Sequence, residues 1–160
     1  MFIHLLKNTV MKSKILFIGI LLFGILSYSK SDEKCTDTVI STTSLANEHG
    51  CIEPEYQMDI NLSEDYIIIR NQVEFSDLVT GSCLPTIDFT IYDLVIGKKG
   101  FTTGNSSINY ELVEDCETTA KTLTVTFNQN LTTEAPNLTY HRLIPKLMIG
   151  EELNVELIVN

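Results

Sequence analysis

The sequence predicts a mainly β domain, an antiparallel sandwich or barrel-like domain with one short helix, and the alternative is an α+β domain. About seven short runs either alternate apolar with polar residues or form brief β-branched stretches, as strands do. These runs recur roughly every ten to fifteen residues, a rhythm typical of β sandwiches and barrels. One further segment spaces its apolar residues as a helix does.

The first predicted elements follow a segment rich in Ser, Thr, Asp and Glu, residues 30–57. We expect this segment to be irregular, or to hold one loose strand around residues 38–40. Alternation over 58–62 and a β-branched run at 66–69 each predict a strand. Apolar residues at helical spacing predict a short helix over 72–79.

Five further strands are predicted in the second half of the chain, and segments rich in turn-forming residues separate them. They lie at 91–101, 108–112, 123–127, 140–147 and 153–159. The sequence contains no internal repeat and no linker that would divide it. Residues 58–160 are therefore expected to form a single domain.

The first 29 residues have the pattern of a signal peptide. Two lysines precede an apolar run at 15–26, whose length of about a dozen residues is typical of a signal core and short for a membrane span. Ser27 and Ser29 supply small residues before a cut at Lys30. We expect an exported protein of the periplasm, cell surface or medium, with no membrane span once the signal is removed.

Two points about this leader stay open. Either Met1 or Met11 starts the chain, and an uncleaved leader would anchor the protein in the membrane. The junction LSYSKSDE, residues 26–33, resembles that of surface lipoproteins from Bacteroidetes-type bacteria. Tyr28, however, stands where the lipid-carrying cysteine would be, so we expect cleavage and release.

The charge of the exported part argues against two classes of partner. Three of the 11 basic residues lie in the leader, so 8 basic and 21 acidic residues remain and the net charge is −13. Nucleic-acid binding needs a basic surface, and adhesion to anionic lipid needs one as well. We therefore expect no nucleic-acid partner and no electrostatic adhesion to anionic lipid, and the excess of acidic residues is expected to keep the exported protein soluble.

Four cysteines in an exported chain predict two disulfides. Three pairings are possible, and we expect Cys35–Cys51 and Cys83–Cys116, which join cysteines that are neighbours in the sequence. The first pair would hold the N-terminal segment, and the second would tie a loop to a hairpin tip. Zinc is a poor rival because the chain has no Cys-x-x-Cys motif and no cluster of histidines.

Residues for catalysis or metal binding are scarce. The exported part has two histidines: His49 in a turn, and His141 beside Arg142 in a strand whose alternation would place one of the pair in solvent. No nucleophile, zinc-protease or phosphate-loop motif accompanies them. We expect no enzyme, no cofactor and no metal; a hydrolase of unrecognised type, dependent on His141, is the alternative.

Two acidic features have local explanations. Asp88 precedes a predicted buried strand, and its carboxylate is expected to cap nearby backbone N–H groups. A weak calcium site built from Glu53, Glu55, Asp59 and Asp65 is conceivable from the residue types alone. The alternating apolar residues around Asp59 favour a strand over a calcium loop.

Three segments stand out as more than isolated strands: YIIIRNQVEFSDLV (66–79), LPTIDFTIYDLVIGKKGFTTG (84–104), and Pro136 with TYHRLIPK (139–146). Together they resemble the protease complex subunit PrcB family of small exported bacterial proteins. The resemblance covers roughly residues 65 to 147. It implies a non-catalytic accessory domain at the cell envelope that associates with a secreted protease.

The expected partner surface combines the turn at 102–106 with the loop at 132–137. Loops carry binding residues in many domains, and we name Gly104, Asn105, Thr133 and Pro136 as the candidates. Gly104 and Pro136 are expected to shape exposed backbone there. A structural surface protein without a dedicated partner is the remaining hypothesis.

Overall fold

The strands that alternating apolar residues predict are present, and they assemble into three sheets. The computed structural model describes residues 34–62 and 65–160, so the predicted signal peptide, residues 1–29, lies outside the described residues. Cys35–Asn160 form one compact unit. The strands of the described residues are β1 (Thr38–Ile40), β2 (Met58–Ile60), β3 (Tyr66–Ile69), β4 (Val79–Gly81), β5 (Tyr92–Gly100), β6 (Asn105–Glu114), β7 (Lys121–Gln129), β8 (Asn137–Pro145) and β9 (Leu153–Val159).

The mainly β prediction is confirmed. The helix predicted over 72–79 is present as α3 (Gln72–Leu78), and the Asn71 side chain caps it by accepting a 2.9 Å hydrogen bond from the Glu74 N–H. Two further short helices, α1 (Leu45–His49) and α2 (Pro54–Gln57), precede it.

The loose strand expected around residues 38–40 is present as β1, whereas the irregular structure expected elsewhere in 30–57 is corrected for the described part. This part contains β1, α1 and α2, and the side chain of Leu45 is fully buried in the core. Capping explains why α1 forms in such a polar stretch. The Ser44 hydroxyl accepts a hydrogen bond from the Asn47 N–H, and Gly50 ends the helix with a left-handed backbone.

The three sheets build a layered structure around β5. The central sheet has the order β3–β5–β8 and is antiparallel. The outer sheet has the order β1–β6–β7–β9, in which only the β7–β9 pair is parallel. β2 and β4 form a small third sheet. Because Leu94, Val95 and Ile96 are all fully buried, both faces of β5 must be covered.

The inter-sheet core fills the space between the central and outer sheets. Three aromatic rings lie at its centre: Phe127 is 4.9 Å from Phe101 and 5.7 Å from Tyr140 between ring centroids. Around them pack aliphatic side chains from both sheets, namely Val95, Leu112, Leu123, Val125, Leu138 and Ile144. The alternation that predicted β7 reflects this burial of every second residue.

The helix-side core covers the opposite face of the central sheet. Ile69, Leu94, Ile96 and Leu143 project from that face. They pack against residues of the helices, the small sheet and the connecting loops, namely Leu45, Cys51, Met58, Ile60, Phe75, Val79 and Ile87. The short helices therefore form a third layer.

Both disulfides are present, but the predicted pairing is wrong. Cys35 pairs with Cys116, and Cys51 pairs with Cys83, with Cα–Cα distances of 5.7 and 5.8 Å. The first bridge fastens the start of the domain to the hairpin between β6 and β7, next to which β1 lies. The second fastens the α1–α2 segment to the loop after β4. Sequence proximity misled the prediction because the sheets bring distant cysteines together.

Gly97 allows the central sheet to accept Tyr140. A Cβ at Gly97 would overlap the Tyr140 ring and the Asp65 carbonyl, to which the Tyr140 hydroxyl donates a 2.9 Å hydrogen bond. We expect Gly97→Ala to lower the free energy of unfolding by about 2 kcal/mol through overpacking. Gly100→Ala, also on β5, is the control because its Cβ would come no closer than 3.9 Å to Asn137. Equal urea midpoints for the two variants would contradict this role.

Candidate functional site

The chain crosses between the two larger sheets directly after β1. β1 pairs with β6 only at residues 112–114 of that strand. The chain then reaches the outer edge of β8, where Thr43 and Leu143 exchange two 3.0 Å backbone hydrogen bonds. The crossing, residues 41–44, therefore covers part of the gap between the edges of β6 and β8.

A cleft of about 380 Å³ lies next to the crossing. Its walls are the first half of β6, the His141–Arg142 pair of β8, and residues 53–56 at the start of α2. Along this side, residues 105–111 of β6 have no strand partner within the described part of the chain. The cleft is thus bordered by a free sheet edge.

His141 lies at the base of the cleft as a buried, neutral side chain. It faces the helix side of the central sheet beside Ile96, and only 4% of its surface is exposed. Its backbone N–H donates a 3.2 Å hydrogen bond to the Tyr110 hydroxyl, but neither ring nitrogen has a hydrogen-bond partner among the described residues. Burial lowers the pKa of His141 from 6.5 to about 4; the Thr139 backbone offsets part of this effect, and the charge of Arg142 adds to it.

Asn105 supplies a third buried polar atom without a partner. Its side-chain oxygen borders the cleft and accepts no hydrogen bond from the described residues. The backbone is irregular here, because the β6–β7 register shifts between Asn105 and Ser107. Ser106, the extra residue, donates a 2.8 Å hydrogen bond to the Asn128 carbonyl. Bulges commonly re-aim side chains next to binding sites.

The positive charge of Arg142 is already engaged. Its Nε donates a 2.8 Å hydrogen bond to the Thr42 hydroxyl, and a second nitrogen donates to the Thr42 carbonyl. The guanidinium carbon lies 5.0 Å from the centre of the Tyr110 ring, as in a cation–π contact. Burial raises the pKa of Tyr110 well above its ordinary value, so this ring stays neutral.

The acidic rim of the cleft is formed by Glu53 and Glu55. Neither carboxylate takes part in an ion pair within the described residues. Glu53 has a left-handed backbone, with φ of 44°, which is costly for a residue with a side chain. Tyr56 lies beside them with 60% of its surface exposed.

The two loops predicted to form a partner surface do lie together. The Gly104 N–H donates to the Thr132 carbonyl, and the Asn130 N–H donates to the Gly104 carbonyl. Pro136 is joined in the same way, since its carbonyl accepts a 3.0 Å hydrogen bond from the Phe101 N–H. We call this contact between residues 101–105 and 130–136 the loop pair.

The four candidate residues differ in accessibility. Gly104 is buried, and a Cβ there would overlap the side chains of Thr132 and Asn130, so its role is to let the loops approach. This corrects the expectation that Gly104 presents exposed backbone. Thr133 is exposed and Pro136 is half-buried. Asn105 is already part of β6 and borders the cleft, so it connects the cleft with the loop pair.

The remaining predicted features have local roles. The carboxylate of Asp88 accepts hydrogen bonds from Thr90, which confirms the predicted cap and keeps the pKa of Asp88 below its ordinary value. Asp59 forms an ion pair with Lys98 and accepts from the Ile60 N–H. The described residues contain no group of three or more acidic, His or Cys side chains arranged to hold a metal.

The expectation that either His141 or Arg142 faces solvent is wrong. β8 lies at the edge of the central sheet, with α2 against one face and the outer sheet against the other, so both side chains border the cleft. Tyr56 and Tyr110 also line the cleft and were not predicted from the sequence. Nothing in their spacing marks them, because the cleft brings together segments that are distant in the sequence.

Comparison with known proteins gave no match: no family profile, curated protein or solved structure is significantly similar to this chain. The PrcB resemblance therefore stays a prediction from three short segments. No helix in the described part of the chain has the length and apolar character needed to span a membrane.

The depressed pKa of His141 predicts a loss of stability in acid. The unfolded chain takes up a proton near pH 6.5 and the folded protein only near pH 4, so protonation favours unfolding in between. The loss amounts to about 3 kcal/mol between pH 7 and pH 4. Urea unfolding of the wild type and of His141→Gln measures it, since the difference between them isolates this residue. A difference that stays constant over this pH range would contradict the assignment.

Proposed function

We propose that this protein is an exported, non-catalytic binding domain that docks on another envelope or secreted protein through the cleft and the loop pair. One observation carries the proposal: Asn105 Oδ1 and both ring nitrogens of His141 are buried at one cleft and have no hydrogen-bond partner among residues 34–62 and 65–160. A buried polar group left unpaired costs about 1–3 kcal/mol. A bound partner that supplies the missing hydrogen bonds recovers this free energy, even where it first displaces water.

Two disulfides support a location outside the reducing cytoplasm. Disulfides form and persist in oxidising compartments, and this chain has no free cysteine among its described residues. The predicted signal peptide agrees with this location. The partner is then a protein of the envelope or the medium, and the PrcB resemblance makes a secreted protease the first one to test.

The absence of catalysis is part of the proposal, and the cleft itself supports it. Three serines, Ser44, Ser106 and Ser107, line the same cleft as His141, yet none hydrogen-bonds to its ring. A hydrolase of the Ser-His type needs that contact.

The hydrolase alternative rests on the presence of His141 in a cleft. Assays of wild type and His141→Ala on peptide and glycan substrates decide it, since turnover abolished by the substitution would overturn the non-catalytic assignment.

The proposal predicts that bulky charge at the site blocks binding without unfolding the domain. Asn105→Arg fills the cleft mouth, and Thr133→Arg projects from the exposed loop. Each is expected to lower recovery of the co-purified partner from envelope extract by about tenfold, the effect of roughly 1.4 kcal/mol. Thr86→Arg, an exposed threonine in the loop before β5, is the matched control.

The outcomes separate three possibilities. Loss with both site variants and not with Thr86→Arg, at equal melting temperatures, supports the cleft and loop pair. Undiminished recovery with both would exclude this surface. Wild-type protein that recovers no partner from any envelope or secreted fraction would favour a structural surface protein.

A further inference from the structure

We propose that the partner contributes an extended segment that adds as a strand to the free edge of β6, with a Lys or Arg side chain placed in the cleft against Glu53 and Glu55. The inference rests on the proposed function and specifies how binding occurs. It combines three features of the cleft: an unpaired strand, buried acceptors without partners, and uncompensated carboxylates.

The free edge of β6 is long enough for a strand. β1 covers only residues 112–114 before the chain leaves for β8, so residues 105–111 remain open on that side. At about 3.3 Å per residue they extend roughly 20 Å, the length of an average strand. An unpaired edge offers a row of backbone donors and acceptors, and peptides bind such edges by strand addition. An added strand would continue the line of β1.

The β8 wall of the cleft, which lies opposite β6, cannot take an added strand in the same way. On β8, the backbone of Leu143 already pairs with Thr43, and the His141 N–H is bonded to the Tyr110 hydroxyl. The outer edges of β3 and β9 are also unpaired among the described residues. Neither of these edges borders the unpartnered atoms of His141 or Asn105. Among the described residues, the β6 edge therefore combines free backbone with buried polar atoms that lack partners.

The side-chain chemistry of the cleft selects a hydrogen-bond donor with positive charge. Asn105 Oδ1 is an acceptor, and a neutral imidazole such as that of His141 offers one acceptor nitrogen. Glu53 and Glu55 add two carboxylates without ion pairs among the described residues, while the charge of Arg142 is engaged by Thr42 and Tyr110.

Alternation allows one residue of an added strand to reach the cleft while its neighbours point away. A Lys or Arg at that position would satisfy the acceptors and pair with the acidic rim. Acidic segments are disfavoured by the same two carboxylates and by the net charge of −13 on the residues that follow the leader.

The test selects peptides with the oxidised protein. A random nonapeptide library displayed on phage serves as the probe, and the enriched peptides are synthesised. We expect them to carry Lys or Arg at one position, flanked by residues that favour strands. Glu53→Gln/Glu55→Gln is expected to raise their Kd about tenfold, as loss of a charge-assisted hydrogen bond does.

Glu152→Gln/Glu156→Gln is the matched control, because it removes the same charge from exposed positions at the other sheet edge. We expect it to leave the Kd within about twofold of wild type, since exposed charges act weakly at a distance. An equal loss of affinity in both double variants would show only a general charge effect and would overturn the proposed basic contact.

Hydrogen exchange tests the strand itself. Bound peptide is expected to slow amide exchange within residues 105–111 about tenfold or more, because free-edge N–H groups become hydrogen-bonded, while β9 is unchanged. Enrichment of acidic peptides, no enrichment at all, or binding without protection of 105–111 would each overturn the inference. If the Asn105→Arg and Thr133→Arg variants still lose the natural partner in such a case, the binding domain stands and only its strand-addition mode fails.

Discussion

Burial of both faces of the central sheet is the constraint on which the rest of the structure depends. Leu94, Val95 and Ile96 are consecutive and fully buried, so neighbouring side chains of β5 enter different cores. A strand of this kind needs one layer against each face. The outer sheet supplies one layer and the short helices supply the other. The chain must then connect these layers around the edges of a sheet only three strands wide.

The crossing at residues 41–44 is the result, and it explains why a polar cleft exists in a small β domain. β1 leaves β6 after three residues in order to reach β8, and the remaining edge of β6 stays open. Arg142 stabilises the crossing by bonding to Thr42, so the cation found among the described residues of the cleft is used for a structural contact. The carboxylates on the other wall are left without a counter-charge among the described residues. The residues that connect the two layers thus also border the cleft.

Much of the fold was predictable because every second residue of these strands is buried, and the sequence is apolar at those positions. β7 alternates Leu123, Val125 and Phe127 with polar residues, and the sandwich buries those three. The pairing of the cysteines was not predictable, since it depends on which strands become neighbours.

Only some residues of the cleft were predicted from the sequence. Asn105 was selected for its place in a turn, although it lies in a bulged strand. The position of residues 53–56 in the cleft wall was not predictable, because it depends on packing against β8 and on a disulfide next to them.

The Cys51–Cys83 disulfide has a consequence for the stage at which the proposed binding site forms. Cys51 precedes the acidic wall of the cleft by two residues, and its bond to Cys83 is the covalent tie between that wall and the rest of the helical layer. A nascent chain with reduced thiols lacks the tie, and a short uncapped helix such as α2 has little intrinsic stability to replace it. In the proposed mode of binding, the acidic wall is therefore fixed in place only after Cys51 and Cys83 are oxidised, so capture of a target follows arrival in an oxidising compartment.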